Sequence, residues 1–422
     1  MSLSQGRHFL AIPGPSVMPD RVLQAMHRAA PNIYTGDIVD LTHSLIPDLK
    51  AVAQTTGDVA IYIANGHGVW EAAIANTLSA GDTVLVLATG RFCIGWGEMA
   101  RAMGIEVEII DFGKRRTIDP DQVETALRAD TDHKIKAVMA VHVDTSTSVK
   151  NDLGVVRGVM DQVGHPALLF GDCIASLGCD PFPMDACGVD VMVAGCQKGL
   201  MTPPGIGFVF FNEKAKAARA QQARVSLYWD WMPRVDPDFY YQFFCGTAPT
   251  HHLYGLREAL DMINEEGLDH VFARHAQLAQ SVWAAVDAWG QGGPMALNIT
   301  DSANRSTAVT SVRIGAPDGT RLREWVEGQA GVTLGIGLGM AEPGDPAWHG
   351  FFRIGHMGHV NVPMVMGVLG AMDAGLKALN IPHGDGALAA ASSALAPPLD
   401  QHIEDREKDQ GPSKAPGDGC CE

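Results

Sequence analysis

Val189-Asp190-Val191-Met192-Val193-Ala194-Gly195-Cys196-Gln197-Lys198-Gly199-Leu200-Met201-Thr202-Pro203-Pro204-Gly205 is an apolar run that ends in small residues and then presents one lysine. A turn rich in Gly and Pro follows, and a second apolar run begins after it. Most lysines lie on surfaces, and taken alone this stretch also fits a surface lysine. Yet Lys198 has no acidic neighbour close by and is bracketed by small residues beside a strand that reads as buried. An amine must be neutral to condense with a carbonyl, and removal from water favours the neutral form.

Outward from this stretch, the pattern from about 58 to 210 alternates regularly. Short runs rich in Val, Ile and Leu (59–63, 83–87, 106–110, 137–142, 167–170, 189–194 and 207–211) are separated by helix-like segments or loops. Near-continuous apolar strands predict a sheet covered on both faces. Their alternation with helices predicts an α/β fold with a mostly parallel sheet and right-handed crossovers. Upstream, helices are expected near 19–29 and 40–55. Residues 213–250 are irregular and aromatic-rich, and 253–289 predicts one or two long helices. A second α/β block spans 305–380, with strands near 308–314 and 351–354 and a helix near 363–379. From 381 to 422 the composition shifts to Ala, Pro, Gly, Ser and charge, predicting a helix fragment or coil and then a disordered extension.

Four more features carry chemistry. Ala167-Leu168-Leu169-Phe170-Gly171-Asp172 delivers a carboxylate at a strand end, where ligands bind in open α/β sheets, although an Asp there also serves as a helix N-cap. Ile63-Ala64-Asn65-Gly66-His67-Gly68 follows a strand and opens a helix, whose first amides can cradle a phosphate. It lacks the third Gly and the spaced acid of a dinucleotide fingerprint. Val141-His142-Val143-Asp144-Thr145-Ser146-Thr147-Ser148 is a strand end with a hydroxyl-rich loop, which also fits a capped turn. Phe351-Phe352-Arg353-Ile354-Gly355-His356 places an Arg on a short strand, where it is either exposed to solvent or free to clamp a carboxylate.

Phosphate cradle, hydroxyl loop, strand-end Asp, strand-end Lys and distal Arg occur in the order of a class V, fold-type I aminotransferase. The chain resembles that family from about residue 8 to 380. The Lys198 stretch and Asp172-Cys173-Ile174-Ala175-Ser176-Leu177-Gly178 match its lysine and Asp motifs. Leu253-Tyr254-Gly255-Leu256-Arg257-Glu258-Ala259-Leu260, the run at 165–170, and Phe352-Arg353-Ile354-Gly355-His356 are most similar to the serine–glyoxylate and alanine–glyoxylate branch. The resemblance implies the pyridoxal-phosphate transferase fold: a large domain at 20–275, a small one from 1–19 with 276–380, and a C-terminal extension at 381–422. It implies pyridoxal 5'-phosphate as cofactor, held covalently by Lys198 and paired at its ring nitrogen with Asp172. Asn65, Gly66, His67 and Gln197 would sit at the phosphate, Phe92 against the ring, and Thr145 near ring and substrate. Thr247 would reach the phosphate of a partner subunit, so a homodimer follows. Arg353 would hold the substrate carboxylate.

Transamination between a small amino acid, serine first, and glyoxylate is the implied activity. The alternatives are alanine–glyoxylate exchange, amino acid–pyruvate exchange including the pyridoxamine–pyruvate type, or a non-catalytic cofactor-binding relative. Plant-type members of the serine branch carry a Tyr-Arg or His-Arg pair in an early loop. Here that loop reads Asn32-Ile33-Tyr34-Thr35-Gly36-Asp37, so Tyr34 stands in the place of the Arg beside the substrate side chain. A cysteine desulfurase needs a mobile loop Cys, and 329–349 holds none.

Composition narrows the partners. Lys plus Arg is 31 and Asp plus Glu is 48, a net −17, which opposes non-specific nucleic-acid binding and docking on anionic membranes. No run approaches the roughly 20 apolar residues of a membrane span, and no secretory pattern opens the chain. Eight cysteines without a Cys-x-x-Cys spacing indicate neither a disulfide framework nor a zinc site. A cytoplasmic enzyme without metal is the expectation.

Overall fold

The computed structural model describes residues 2–396. Its strands are β1 (Phe9–Ala11), β2 (Asp58–Ala64), β3 (Thr83–Ala88), β4 (Glu106–Asp111), β5 (Ile135–Val141), β6 (Leu168–Asp172), β7 (Val191–Gly195), β8 (Gly205–Phe211), β9 (Ala296–Leu297), β10 (Val309–Arg313), β11 (Val332–Ile336) and β12 (Phe351–Gly355). Seven of them form one sheet in the order β2-β8-β7-β6-β5-β3-β4. All pairings within it are parallel except those of β8, which runs against both β2 and β7. The mostly parallel α/β sheet expected from the alternating runs is thus present.

The strands are continuously apolar because each face meets its own core. Val59 and Ile61 of β2, Val138 and Ala140 of β5, and Phe208 and Phe210 of β8 enter one cluster. Their neighbours Ala60, Tyr62, Met139, Val209 and Phe211 enter another. A two-residue period that is apolar on both phases reads as an unbroken apolar run. Edge strand β4 is mostly exposed and carries Glu106, Glu108 and Asp111, whose charge discourages pairing with another edge.

The second sheet has the order β1-β11-β12-β10-β9 and is antiparallel except for β1 against β11. Its core holds Leu334, Phe352, Ile354 and the apolar side of the helix Val362–Ala378. Strand β1 belongs to this sheet, but the chain after it crosses to the large one. Ser16 there bonds the Gln197 and Lys198 carbonyls at 2.9 and 2.7 Å.

Helix bounds differ from the sequence expectation in instructive ways. The helix expected over 40–55 spans Asp37–Ala53, because Gly36 at φ 92° releases the chain and Asp37 and Asp40 favour a helix N-terminus. The first helix is Asp20–Met26, shorter at both ends than expected. The region 253–289 is two helices, Thr250–Glu266 and Leu268–Gly290, broken at Gly267 with φ 82°. Within the expected extension, Ala387–Leu395 is a helix whose Ala387 and Ala391 enter the smaller core, and Gly384 N–H bonds the Trp289 carbonyl at 2.8 Å. Alanine has the highest helix propensity, and its small side chain permits close docking on Leu268–Gly290. The rest of the extension, 397–422, lies outside the described residues.

Candidate active site

Strands β3, β5, β6 and β7 run parallel, and β2 points the same way, so their carboxyl ends share one edge of the sheet. Every sequence-singled loop of the large sheet leaves from that edge. Asn65 follows β2 and caps the helix Gly66–Thr77, its side chain accepting the Gly68 N–H at 3.2 Å. Phe92 lies in the first turn of Arg91–Ala102, after β3. Thr145 follows β5, Asp172 ends β6, and Lys198 lies just beyond β7.

These groups converge on one cavity with about 590 Å³ of free space. Asn65, Gly66, His67, Trp70, Phe92, Thr145, Asp172, Gln197 and Lys198 line it, with Val141, Val143, Ile174 and Ala175 as apolar wall. Asp172 is buried. One carboxylate oxygen accepts Ile174 N–H at 2.7 Å and the other accepts the Trp70 indole N–H at 2.8 Å. Burial pushes its carboxyl up to about 7 against the pull of those two bonds. Half-buried Lys198 donates to the Pro13 carbonyl. Desolvation brings its amine down to about 8; the Arg353 charge adds to that shift and Asp172 opposes it. Gly14 makes this approach possible: its φ is 94°, and any Cβ there would strike the Lys198 side chain.

Arg353 is buried on β12, opposite Ser311 of β10 and Gly335 of β11. It does not line the cavity but donates to the Thr145 carbonyl at 2.8 Å and the Ile336 carbonyl at 2.7 Å, joining the small sheet to the hydroxyl loop. Tyr34 and Thr247 are not brought to the cavity of their own chain. Tyr34 is 82% exposed and shares a separate groove with Phe239, Tyr240, Tyr241, Gly246 and Ala248, and Thr247 is exposed beside it.

Sequence reasoning missed two groups. Trp70 reads as a core aromatic, although its three-residue spacing from His67 on a helix puts both on one face; their rings lie 4.6 Å apart. Asp144 is wholly buried and accepts the Phe92 and Ser146 amides at 2.9 and 2.8 Å. It ties the hydroxyl loop to the start of Arg91–Ala102. An acid between Val143 and four hydroxyl residues was the available signal. Among the described residues, no group of three or more His, Cys, Asp or Glu could hold a metal ion.

Residues 51–354 match the model of the class-V aminotransferase family. The chain belongs to the class V aminotransferases. This aminotransferase is 37% identical over 405 residues to the serine–glyoxylate aminotransferase of Methylorubrum extorquens, covering 93% of this chain and 98% of that one. It is 34% identical over 403 residues to the serine–glyoxylate aminotransferase of Arabidopsis thaliana, covering 94% and 96%. The crystal structure of ureidoglycine–glyoxylate aminotransferase from Bacillus subtilis is similar at a TM-score of 0.82 and 25% identity, covering 93% of this chain and 99% of that chain.

The family implies pyridoxal 5'-phosphate, and the residues present fit that group. Gly66 opens a helix N-terminus whose first amides have no intrahelical acceptor. A Cβ at Gly66 would run into the Ile174 side chain, so the lining there is close-fitting. A lysine with lowered basicity and a carboxyl with raised basicity face the same space. One suits an aldehyde and the other a ring nitrogen.

Proposed function

We propose that this aminotransferase uses pyridoxal 5'-phosphate to exchange the amino group of a small L-amino acid, serine first, with glyoxylate, giving hydroxypyruvate and glycine. The observation that carries the reading is Lys198 and Asp172 on one cavity beside an open helix N-terminus. Whole-length similarity to serine–glyoxylate aminotransferases supports the donor and acceptor. When bound, the cofactor supplies an aldehyde that takes up the amino group and a ring that accepts electrons.

The chain's own groups have separable tasks. Lys198 Nζ, lowered to about 8 by desolvation, would hold the cofactor's aldehyde. As a free amine beside the substrate it would accept the Cα proton as base and return it as acid. Asp172 would keep a proton on the ring nitrogen through its negative charge. The amides of Gly66 and His67, with Gln197, meet the phosphate, and Asn65 caps the helix that presents them. Phe92 would shield the ring, and Thr145 would lie beside ring and substrate. Arg353, which holds the carbonyl of the cavity-lining Thr145, would meet the substrate carboxylate, which glyoxylate and every amino-acid donor share. Val141, Val143, Ile174 and Ala175 keep water from the reacting carbon.

Residues 20–275 would form the cofactor-binding domain. Tyr34 and Thr247 lie exposed on a patch with Phe239 and Tyr241, which supports a homodimer in which both serve the neighbouring site. The unpaired cysteines of the described residues support a cytoplasmic location.

Replacing Lys198 with Ala should remove both the visible absorbance of the cofactor-loaded protein and turnover. Unchanged activity in that variant would overturn the assignment. For the donor, serine should discharge the loaded enzyme's visible band fastest in single half-reactions. Much faster discharge by alanine or aspartate would refute the serine preference.

A further inference from the structure

Trp70 is 1% exposed and lies one helical turn after Gly66, on the helix whose N-terminus faces the phosphate position. Its indole N–H donates to Asp172 Oδ2 at 2.8 Å. An indole N–H can only donate, and a carboxylate can only accept, so each is a matched partner for the other inside the protein. Asp172 Oδ1 is held separately by Ile174 N–H at 2.7 Å. With one donor on each oxygen, the carboxylate plane cannot turn.

The indole is itself fixed. It stacks on Trp96 at 5.9 Å and 14°, and Trp96 stacks on Phe170 at 5.8 Å and 27°. Phe170 and Asp172 are two residues apart on β6, so they project from the same face of the sheet. Asp172, Trp70, Trp96 and Phe170 therefore close a ring of contacts that begins and ends on one strand. The ring couples the helix that opens at the cavity with Gly66 to the Asp172 carboxylate in the same cavity.

We propose that Trp70 is a positioning residue for the ring-nitrogen end of the cofactor, fixing the Asp172 carboxylate and favouring its ionised form so that the proton stays on the cofactor nitrogen. The inference rests on the pyridoxal-phosphate reading given above. A bond to the charged form stabilises that form, and without it the buried carboxyl would hold its proton more tightly and draw it from the ring. A charge-assisted bond of this kind contributes about one to two powers of ten in an equilibrium.

The test compares two ligands on full-length protein stripped of cofactor: pyridoxal 5'-phosphate and its 1-deaza analogue, which has carbon in place of the ring nitrogen. Trp70→Phe keeps an aromatic ring and removes the N–H. Its dissociation constant for pyridoxal phosphate should rise about tenfold or more, with a much smaller rise for the analogue. Trp70→Leu serves the same comparison if the phenyl variant does not fold. Equal losses for both ligands would show a packing role and overturn the proposal, as would no loss for either. A parent protein that binds neither ligand would overturn the cofactor reading itself, a result distinct from an equal loss.

Discussion

Removal from water displaces Lys198 and Asp172 in opposite directions, the amine to about 8 and the carboxyl to about 7. The rate at which cofactor-free protein captures the cofactor aldehyde should therefore rise with pH around a midpoint near 8. A midpoint near an ordinary lysine's 10.5 would contradict the site as described. For Asp172 the sign follows from proton counts. Its carboxyl rises from 3.8 to about 7 on folding, so between these values the folded chain binds the extra proton. Stability from this group falls as pH rises through that interval, and the loss is complete above 7. Asp172→Asn removes the penalty, so in cofactor-free protein its melting temperature should gain on the parent from pH 4 to 7 and then level off. A difference that does not change with pH would contradict the raised carboxyl. Arg353→Lys keeps the charge but not the two-pronged geometry. It should raise KM for donor and acceptor about tenfold or more while the visible cofactor band persists. That Lys198 and Asp172 share one cavity was legible in the sequence, because each stands alone among small or apolar neighbours, whereas Arg353, singled out on the same ground, lies off the cavity on the Thr145 and Ile336 carbonyls. Trp70 was not legible, because an aromatic in a helix looks like core. Only a bond across 102 positions gives it a second role.

At the level of elements, the large sheet was legible because both phases of its strands are apolar, and few other arrangements bury both. Helix ends were less legible, since they turn on single residues: Gly36 extends one helix and Gly267 splits another. The arm after β1 was opaque. Pro13, Gly14 and Ser16 sit far from Lys198 in sequence, and only the second sheet, with β1 beside β11, brings them to it. Gly14→Ala should consequently cut turnover by about an order of magnitude or more, because the new Cβ and the lysine claim the same space and φ 94° suits only glycine. Circular dichroism should remain native. Full activity in that variant would mean that Lys198 does not pass beside the arm. On the phosphate helix, Asn65→Ala removes the cap that receives Gly68 N–H and should cost about 1 kcal/mol of stability. Cofactor affinity should fall with it, because the freed helix end frays at the amides proposed to meet the phosphate.

For the whole molecule, the family match spans residues 51–354 and the fold match covers 93% of the chain, yet one chain does not gather every expected site residue. Tyr34 and Thr247 lie on an exposed aromatic patch with Phe239 and Tyr241, away from the cavity of their own chain. The family resemblance assigns Thr247 to a partner subunit's site; spacing alone could not, because no periodicity marks a residue that serves a second copy. Joint replacement of Phe239 and Tyr241 with Asp should yield monomers in sedimentation with weakened cofactor retention. A dimer that persists and keeps its cofactor would remove the patch from the active-site account. The net −17 gives no general attraction for anionic substrates, so under the proposed function their capture would fall to local groups such as Arg353 and the open helix end. The claim on which all of this depends is that Lys198 is the residue that bonds to the cofactor. Borohydride reduction of the cofactor-loaded protein, followed by digestion and mass spectrometry, tests it most directly. The account predicts a single pyridoxyl phosphate adduct on the peptide containing Lys198. An adduct on another lysine, or none, would contradict it.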